Sequence, residues 1–249
     1  MIKTTLKNLI LALAIALASI STFADTQTHW QYEGKAGPTN WGDLSSEFLT
    51  CSSGKFQSPI DIRTTIQAGL APLQLDFHTK AESLVNDGHT LQVIVKDEDD
   101  FKLDNEIFIL RQYHFHAPSE NRINGKAFPL EAHFVHASAS GEVAVIAVMF
   151  ELGDENKALE HLLSILPTHI NKVVSLGEKT DLSALFPADR HYYRYSGSLT
   201  TPPCTEGLRW LVMKETVTLS ANQLAKIKNA LANANNRPIQ PINGRLIVE

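Results

Sequence analysis

The sequence predicts a mainly β (α+β) protein, and three observations carry that prediction. Short apolar or alternating runs recur at residues 73–77, 90–95, 107–116, 130–135, 142–151 and 208–213, as in strands with at least one buried face. Only two stretches show helical spacing. No repeat, low-complexity tract or linker divides the 249 residues, so one domain is expected. With 43% hydrophobic residues the chain can bury a substantial core, and a net charge of −5 gives no reason to expect a nucleic-acid partner.

Taken in order, the chain begins with Lys3 and Lys7, an apolar run over 9–20, and Ser21-Thr22-Phe23-Ala24. This reads as a Sec-type signal peptide over 1–24, leaving a domain over 25–249. The run is short for a membrane span, so none is expected in the mature chain. The destination is the periplasm or the medium. The two cysteines, Cys51 and Cys204, read first as a disulfide in an exported protein, with two buried free thiols as the alternative.

Residues 29–42 form a loop-rich segment whose aromatics, Trp30, Tyr32 and Trp41, are expected to pack it onto the core. Gln57-Ser58-Pro59 is a proline-constrained strand entry. Asn86-Asp87-Gly88 reads as a turn before His89. Asp97-Glu98-Asp99-Asp100 reads as a solvated turn. One helix is predicted from Leu159, Leu162, Leu163 and Leu166, with Asp154 as its cap candidate and Pro167 as its stop. A second starts at Ser220, where Gln223 completes a capping box and Leu224, Ile227 and Leu231 form the apolar face. Residues 195–204 read as a proline-rigidified loop.

The chemistry centres on Gln112-Tyr113-His114-Phe115-His116 and Glu131-Ala132-His133. Residues i and i+2 of a strand share a face, so His114 and His116 point together with Gln112, and His133 points with Glu131. Antiparallel pairing, across an Asn124-Gly125 turn, would add the third imidazole to the first two. Three neutral imidazoles suit zinc, leaving a fourth corner open for water. Gln112 and Glu131 each precede a histidine by two and could accept its outer N–H. Any one of these histidines alone would read as a half-buried strand residue bonded to a carbonyl.

The two histidine strands resemble the zinc-ligand strands of the α-class carbonic anhydrases, bacterial exported branch. The run 195–204, the segment from Trp30, Gln57-Ser58-Pro59-Ile60, Arg237-Pro238 and Gln240-Pro241 resemble the same family. The resemblance implies a large, twisted, mostly antiparallel central sheet with a few short peripheral helices, and a cis peptide at Ser58-Pro59. It implies Zn2+ on His114, His116 and His133, with Gln112, Glu131 and a backbone carbonyl near Asn235 behind them. It also implies zinc-hydroxide attack on carbon dioxide, giving bicarbonate and a proton. Thr200 and Glu120 would aim the attacking oxygen, and His89 would shuttle the proton. Val135, Val145, Leu199 and Trp210 would form the apolar wall, Thr201 would meet bicarbonate at the mouth, and Tyr32 would join the solvent network. Asp87, Gln92 and Asn121 depart from the family pattern; Asn121 stands where many members have a buttressing histidine. Two other readings stay in view, a catalytically silent binding module on the same fold and a zinc esterase. Oligomeric state, including a homodimer, is left open.

Overall fold

A computed structural model describes residues 29–76, 80–96, 100–176 and 182–249. The leader over 1–24, residue 77 and Asp97-Glu98-Asp99 lie outside the described residues.

The described residues fold onto a ten-stranded sheet. Its strands are β2 (Lys80–Asn86), β3 (Leu91–Lys96), β4 (Asp100–Leu103), β5 (Glu106–His116), β7 (Leu130–Ser138), β8 (Val143–Leu152), β9 (Val173–Ser175), β10 (Tyr192–Ser198), β11 (Glu206–Met213) and β12 (Val217–Leu219). The order is β10-β11-β8-β7-β5-β3-β2-β9, with β12 beside β8 and β4 beside β5. Pairing is antiparallel except where β11 and β12 meet β8, so the sheet is mixed. A separate pair joins β1 (Asp61–Ile62) to β6 (Arg122–Ile123). Asn124 and Gly125 follow β6 with φ of 52° and 80°, as a tight primed turn demands.

The alternation of the central strands sorts two cores onto two faces. Tyr113, Phe115, Ala132, Phe134, Ile146, Val148 and Leu211 pack on one face, beneath the helices Lys157–Ser164 and Ala221–Leu231. Val145, Ala147, Met149, Trp210 and Val212 pack on the other, against Ile60, Ile62, Phe128 and Ile247. The histidines sit on this second face.

One residue decides that placement. Leu110 pairs with His136, but Gln112 pairs with Val135, so Arg111 is an extra residue in β5. Without this bulge Phe108, Leu110, Gln112, His114 and His116 would share a face. With it, Phe108 and Leu110 join Tyr113 and Phe115 in the first core, and the imidazoles turn the opposite way.

Several expectations are corrected here. Residues 73–76 form no strand. Leu73 is buried in the first core and Leu75 packs against it, while the Leu73 N–H donates to the Arg190 carbonyl. Their alternation therefore marks side-chain burial without a strand partner. The cap of the Lys157–Ser164 helix is Asn156, not Asp154: its side chain accepts the Ala158 N–H, and its N–H and Nδ2 donate to Gln223 Oε1 and the Ala184 carbonyl. The helix ends at Ser164, so Leu166 packs from beyond it. The capping box at Ser220 is present. Residues 195–198, read as loop, belong to β10. The peptide at Ser58-Pro59 is cis, as are those at Ala117-Pro118 and Pro202-Pro203.

The first core also buries His136, whose ring meets Phe101 edge-on and whose Nδ1–H donates to the Phe134 carbonyl. Burial lowers its pKa to about 4, partly opposed by that carbonyl. A histidine in the unfolded chain titrates near 6.5. Between those values the unfolded state binds a proton that the folded state refuses, so stability falls as pH drops. The loss from this one ring approaches ~3 kcal/mol at pH 4. Denaturant unfolding at pH 7 and 4.5 should show a steeper acid loss in the wild type than in His136→Leu; equal slopes would remove His136 from the account.

Candidate metal centre

β5 and β7 bring the three imidazoles together because His114 and His133 are direct register partners and His116 follows two residues on. The ring centroids of His114 lie 5.0 Å from His116 and 5.3 Å from His133; those of His116 and His133 are 4.5 Å apart. One ligand atom from each lies within 4.8 Å of the others.

The outer nitrogens decide which atoms face inward. His116 Nδ1–H donates to the Asn235 carbonyl at 2.7 Å, leaving Nε2 with a lone pair. His133 Nε2–H donates to Glu131 Oε1 at 2.8 Å, leaving Nδ1. His114 Nδ1 meets Gln112 Oε1 at 2.8 Å, leaving Nε2. Burial lowers all three imidazoles from the usual value, His114 and His133 most strongly, with neighbouring imidazoles adding to the effect on those two. Three neutral rings therefore present lone pairs to one point. Among the described residues His116 Nε2 is buried without a hydrogen-bond partner, an arrangement that costs free energy unless something binds there. The donor set fits a divalent, imidazole-favouring ion such as zinc.

Beside the rings, β8 and β11 lay down an apolar wall. Val135 pairs with Val145, and Val145 with Trp210, forming a row across three strands. Trp210 meets the His133 ring edge-on at 4.9 Å, and its Nε1–H donates to the Ser198 carbonyl. Gly197 is required here, since a Cβ would lie 2.2 Å from Ser58 Oγ and 2.7 Å from Trp210 Cδ1. The loop after β10 adds Leu199, Thr200 and Thr201 to a cavity of about 170 Å³ that also holds the three histidines, Gln92 and Gln112.

Glu120 is fully buried below this cavity. Its Oε1 accepts the Arg237 N–H at 2.8 Å, and its Oε2 lies 3.5 Å from His116 Nε2 and 3.9 Å from His133 Nδ1. Burial raises its pKa well above the usual carboxyl value, while the Arg237 N–H and the Thr200 hydroxyl pull it back. Among the described residues Oε2 is buried without a hydrogen-bond partner of its own.

His89 stands at the rim. Asp87 Oδ1 accepts the N–H groups of His89 and Thr90, so this departure from the family pattern pins the turn. The His89 ring stacks on Trp30 at 3.8 Å, and burial lowers its pKa, opposed by Asp87 and assisted by His29. Burial first, then the Glu120 and Asp87 carboxylates, raise the Tyr32 phenol. Trp30, Tyr32 and Trp41 gather around a disulfide joining Cys51 to Cys204, forming a third cluster beside the cavity.

A sequence model of the eukaryotic-type carbonic anhydrases matches residues 36–249. The chain belongs to the carbonic anhydrase family. A carbonic anhydrase of Pectobacterium atrosepticum is 47% identical over 231 residues, covering 93% of this chain and 95% of the relative. Among solved structures, the α-carbonic anhydrase of Thermovibrio ammonificans, in complex with sulfanilamide, matches with a TM-score of 0.87 at 46% identity, covering 89% of this chain and 99% of that one. The Photobacterium profundum α-carbonic anhydrase matches at 0.84 and 49% identity, covering 89% and 100%.

Within the carbonic anhydrase frame, every candidate site residue read from the sequence lines the cavity or touches a residue that does. The roles of three side chains escaped that reading, which named only a backbone carbonyl near Asn235. The Asn235 side chain ties the His89 and Phe115 carbonyls to the Ala117 N–H. Buried Arg237 donates to Gln57 Oε1 and to the Ser58 and Cys51 carbonyls, and burial lowers its pKa to about 10. Gln57 Nε2 donates onward to the Cys204 carbonyl. None lies in a periodic pattern; the only cue was a charged residue beside Pro238 in an otherwise uncharged stretch.

Proposed function

We propose that this protein catalyses the reversible hydration of carbon dioxide to bicarbonate and a proton, with His114, His116 and His133 holding zinc. The observation that carries the reading is the convergence of three neutral imidazoles whose outer nitrogens are engaged and whose inner ones are not. When bound, zinc is a Lewis acid that lowers the pKa of water at its open corner to about 7, a value for which carbonic anhydrase is itself the reference case.

The chain's own residues do the rest. Gln112, Glu131 and the Asn235 carbonyl hold the rings in the tautomers that face inward. Thr200 accepts a hydrogen bond from the attacking oxygen and turns its own toward Glu120, aiming the lone pair at carbon. Val135, Val145, Leu199 and Trp210 offer carbon dioxide an apolar wall beside the metal ligands. Thr201 contacts bicarbonate as it leaves.

His89 receives the departing proton through ordered water. Burial lowers its pKa and Asp87 opposes that shift; imidazole is the side chain suited to loading and unloading a proton at working pH. His89→Ala should slow turnover by up to about 100-fold in weak buffer, leave carbon dioxide–bicarbonate exchange nearly intact, and recover with added imidazole. Failure of that rescue would remove His89 from the proton path.

The reading includes export by the leader over 1–24 to the periplasm or beyond, with residues 25–249 as one domain. A zinc assay paired with stopped-flow carbon dioxide hydration tests the whole proposal. One zinc per chain with fast hydration is expected. Ester turnover exceeding hydration would favour the esterase reading, and metal-free, inactive protein would favour a binding module.

A further inference from the structure

We propose that Asn121 is a positioning residue for His133, acting through Glu131, and that Tyr195 and Ile60 fix the direction of its amide. This inference rests on the metal reading above. The resemblance left Asn121 as a gap where other members carry a histidine; the geometry gives it a definite task.

Asn121 is fully buried. Its Oδ1 accepts the Ile60 N–H at 3.1 Å and the Tyr195 O–H at 2.9 Å. A backbone N–H can only donate, so the Ile60 contact identifies the oxygen and sends Nδ2 the other way. There Nδ2 donates to Glu131 Oε1 at 2.7 Å. The same oxygen takes the His133 Nε2–H at 2.8 Å. The second oxygen, Oε2, takes the backbone N–H groups of Glu120 and Asn121 at 2.6 and 2.8 Å. Four donors thus surround one carboxylate. Asn121 supplies two of them, and its side-chain donor shares the oxygen that holds the ligand ring.

The consequence is directional. Two backbone donors hold Oε2, and without Nδ2 only His133 would hold Oε1. Nδ2 sets the position of Oε1, and Oε1 sets the rotation of the His133 ring, whose Nδ1 faces the metal. The Asn121 carbonyl is itself held by the Ser119 hydroxyl at 2.9 Å. Tyr195 comes from β10 and Ile60 from the segment entering β1, so separate parts of the chain converge on the orientation of one imidazole. An aspartate at 121 would keep the shape and the acceptor for Ile60 and Tyr195, but would aim a carboxylate oxygen at Glu131.

The test is zinc release into a chelator from wild type, Asn121→Ala, Asn121→Asp and Tyr195→Phe, alongside thermal unfolding of the metal-free forms. Both Asn121 variants should release zinc about 10- to 100-fold faster, the range for outer partners of metal ligands, with Asn121→Asp the faster. Tyr195→Phe keeps the Nδ2 donor and should change release by less than about 10-fold. A merely structural role would lower metal-free stability and leave the release rate unchanged; that result overturns the proposal. If the Asn121 variants do not fold, the unaltered protein answers. The Asn121 side-chain amide resonance should shift when zinc is added, because its partner oxygen is shared with a ligand, and an unmoved resonance overturns the inference. A wild type that retains no zinc would sink the metal reading itself.

Discussion

His114→Ala should leave the protein folded and unable to retain zinc. The ring sits on the cavity face of β5, while its neighbours Tyr113 and Phe115 anchor the strand in the opposite core. Solvent from the cavity can fill the space the imidazole leaves, so the stability cost should stay under about 1 kcal/mol. The metal cost is far larger. Removing an outer partner of a ligand lowers affinity roughly 10- to 100-fold, which is the expectation for Gln112→Ala. Removing the ligand should exceed about 100-fold, and carbon dioxide hydration should vanish with the metal. Metal content after dialysis, read beside the circular dichroism spectrum, checks both halves. Undiminished zinc in His114→Ala would refute the ligand set.

Loss of the disulfide should give the second large effect, and on stability. Cys51 lies in a short helix (Thr50–Ser53) and Cys204 closes the loop after β10, 153 residues away. The chain-entropy model assigns such a loop about 5 kcal/mol, and native disulfides commonly give 2–5. Cys51→Ala/Cys204→Ala should therefore unfold on the order of 10 °C lower than wild type. The effect should reach activity too. Arg237 grips the Cys51 carbonyl and Gln57 grips that of Cys204, so the bond pins the far end of the loop bearing Leu199, Thr200 and Thr201. Thermal unfolding with and without reductant checks the first part, and kcat/KM of the double variant the second. A midpoint that ignores both reductant and substitution would mean that packing around Trp41 alone holds this region.

The strands that carry the site were legible because each is buried on both sides or alternates against a buried neighbour. His114 and His116 share a face by strand geometry alone, and so do Glu131 and His133. The capping box at Ser220 was legible for a similar reason: its partners are three residues apart. Local rules failed where a distant partner made the choice. Asn156 displaced Asp154 as a cap because Gln223 and Ala184 hold it in place. Residues 73–76 alternate like a strand, yet their visible backbone partner is Arg190 rather than a neighbouring strand. The bulge at Arg111 left no compositional mark.

Residue type and short-range spacing by themselves determined that this protein is mainly β, that three imidazoles belong on two neighbouring strands, and that an acceptor stands beside two of them. Those properties follow from a two-residue period and need no information beyond a few positions. The tertiary structure alone decided that the bulge at Arg111 turns the rings to the Trp210 face rather than the Phe134 core, that the Asn235 side chain, far along the chain, ties the His89 and Phe115 carbonyls together, and that Asn121 donates to Glu131. A buried polar group must find a partner wherever the folded chain brings one, and sequence distance places no limit on where that is.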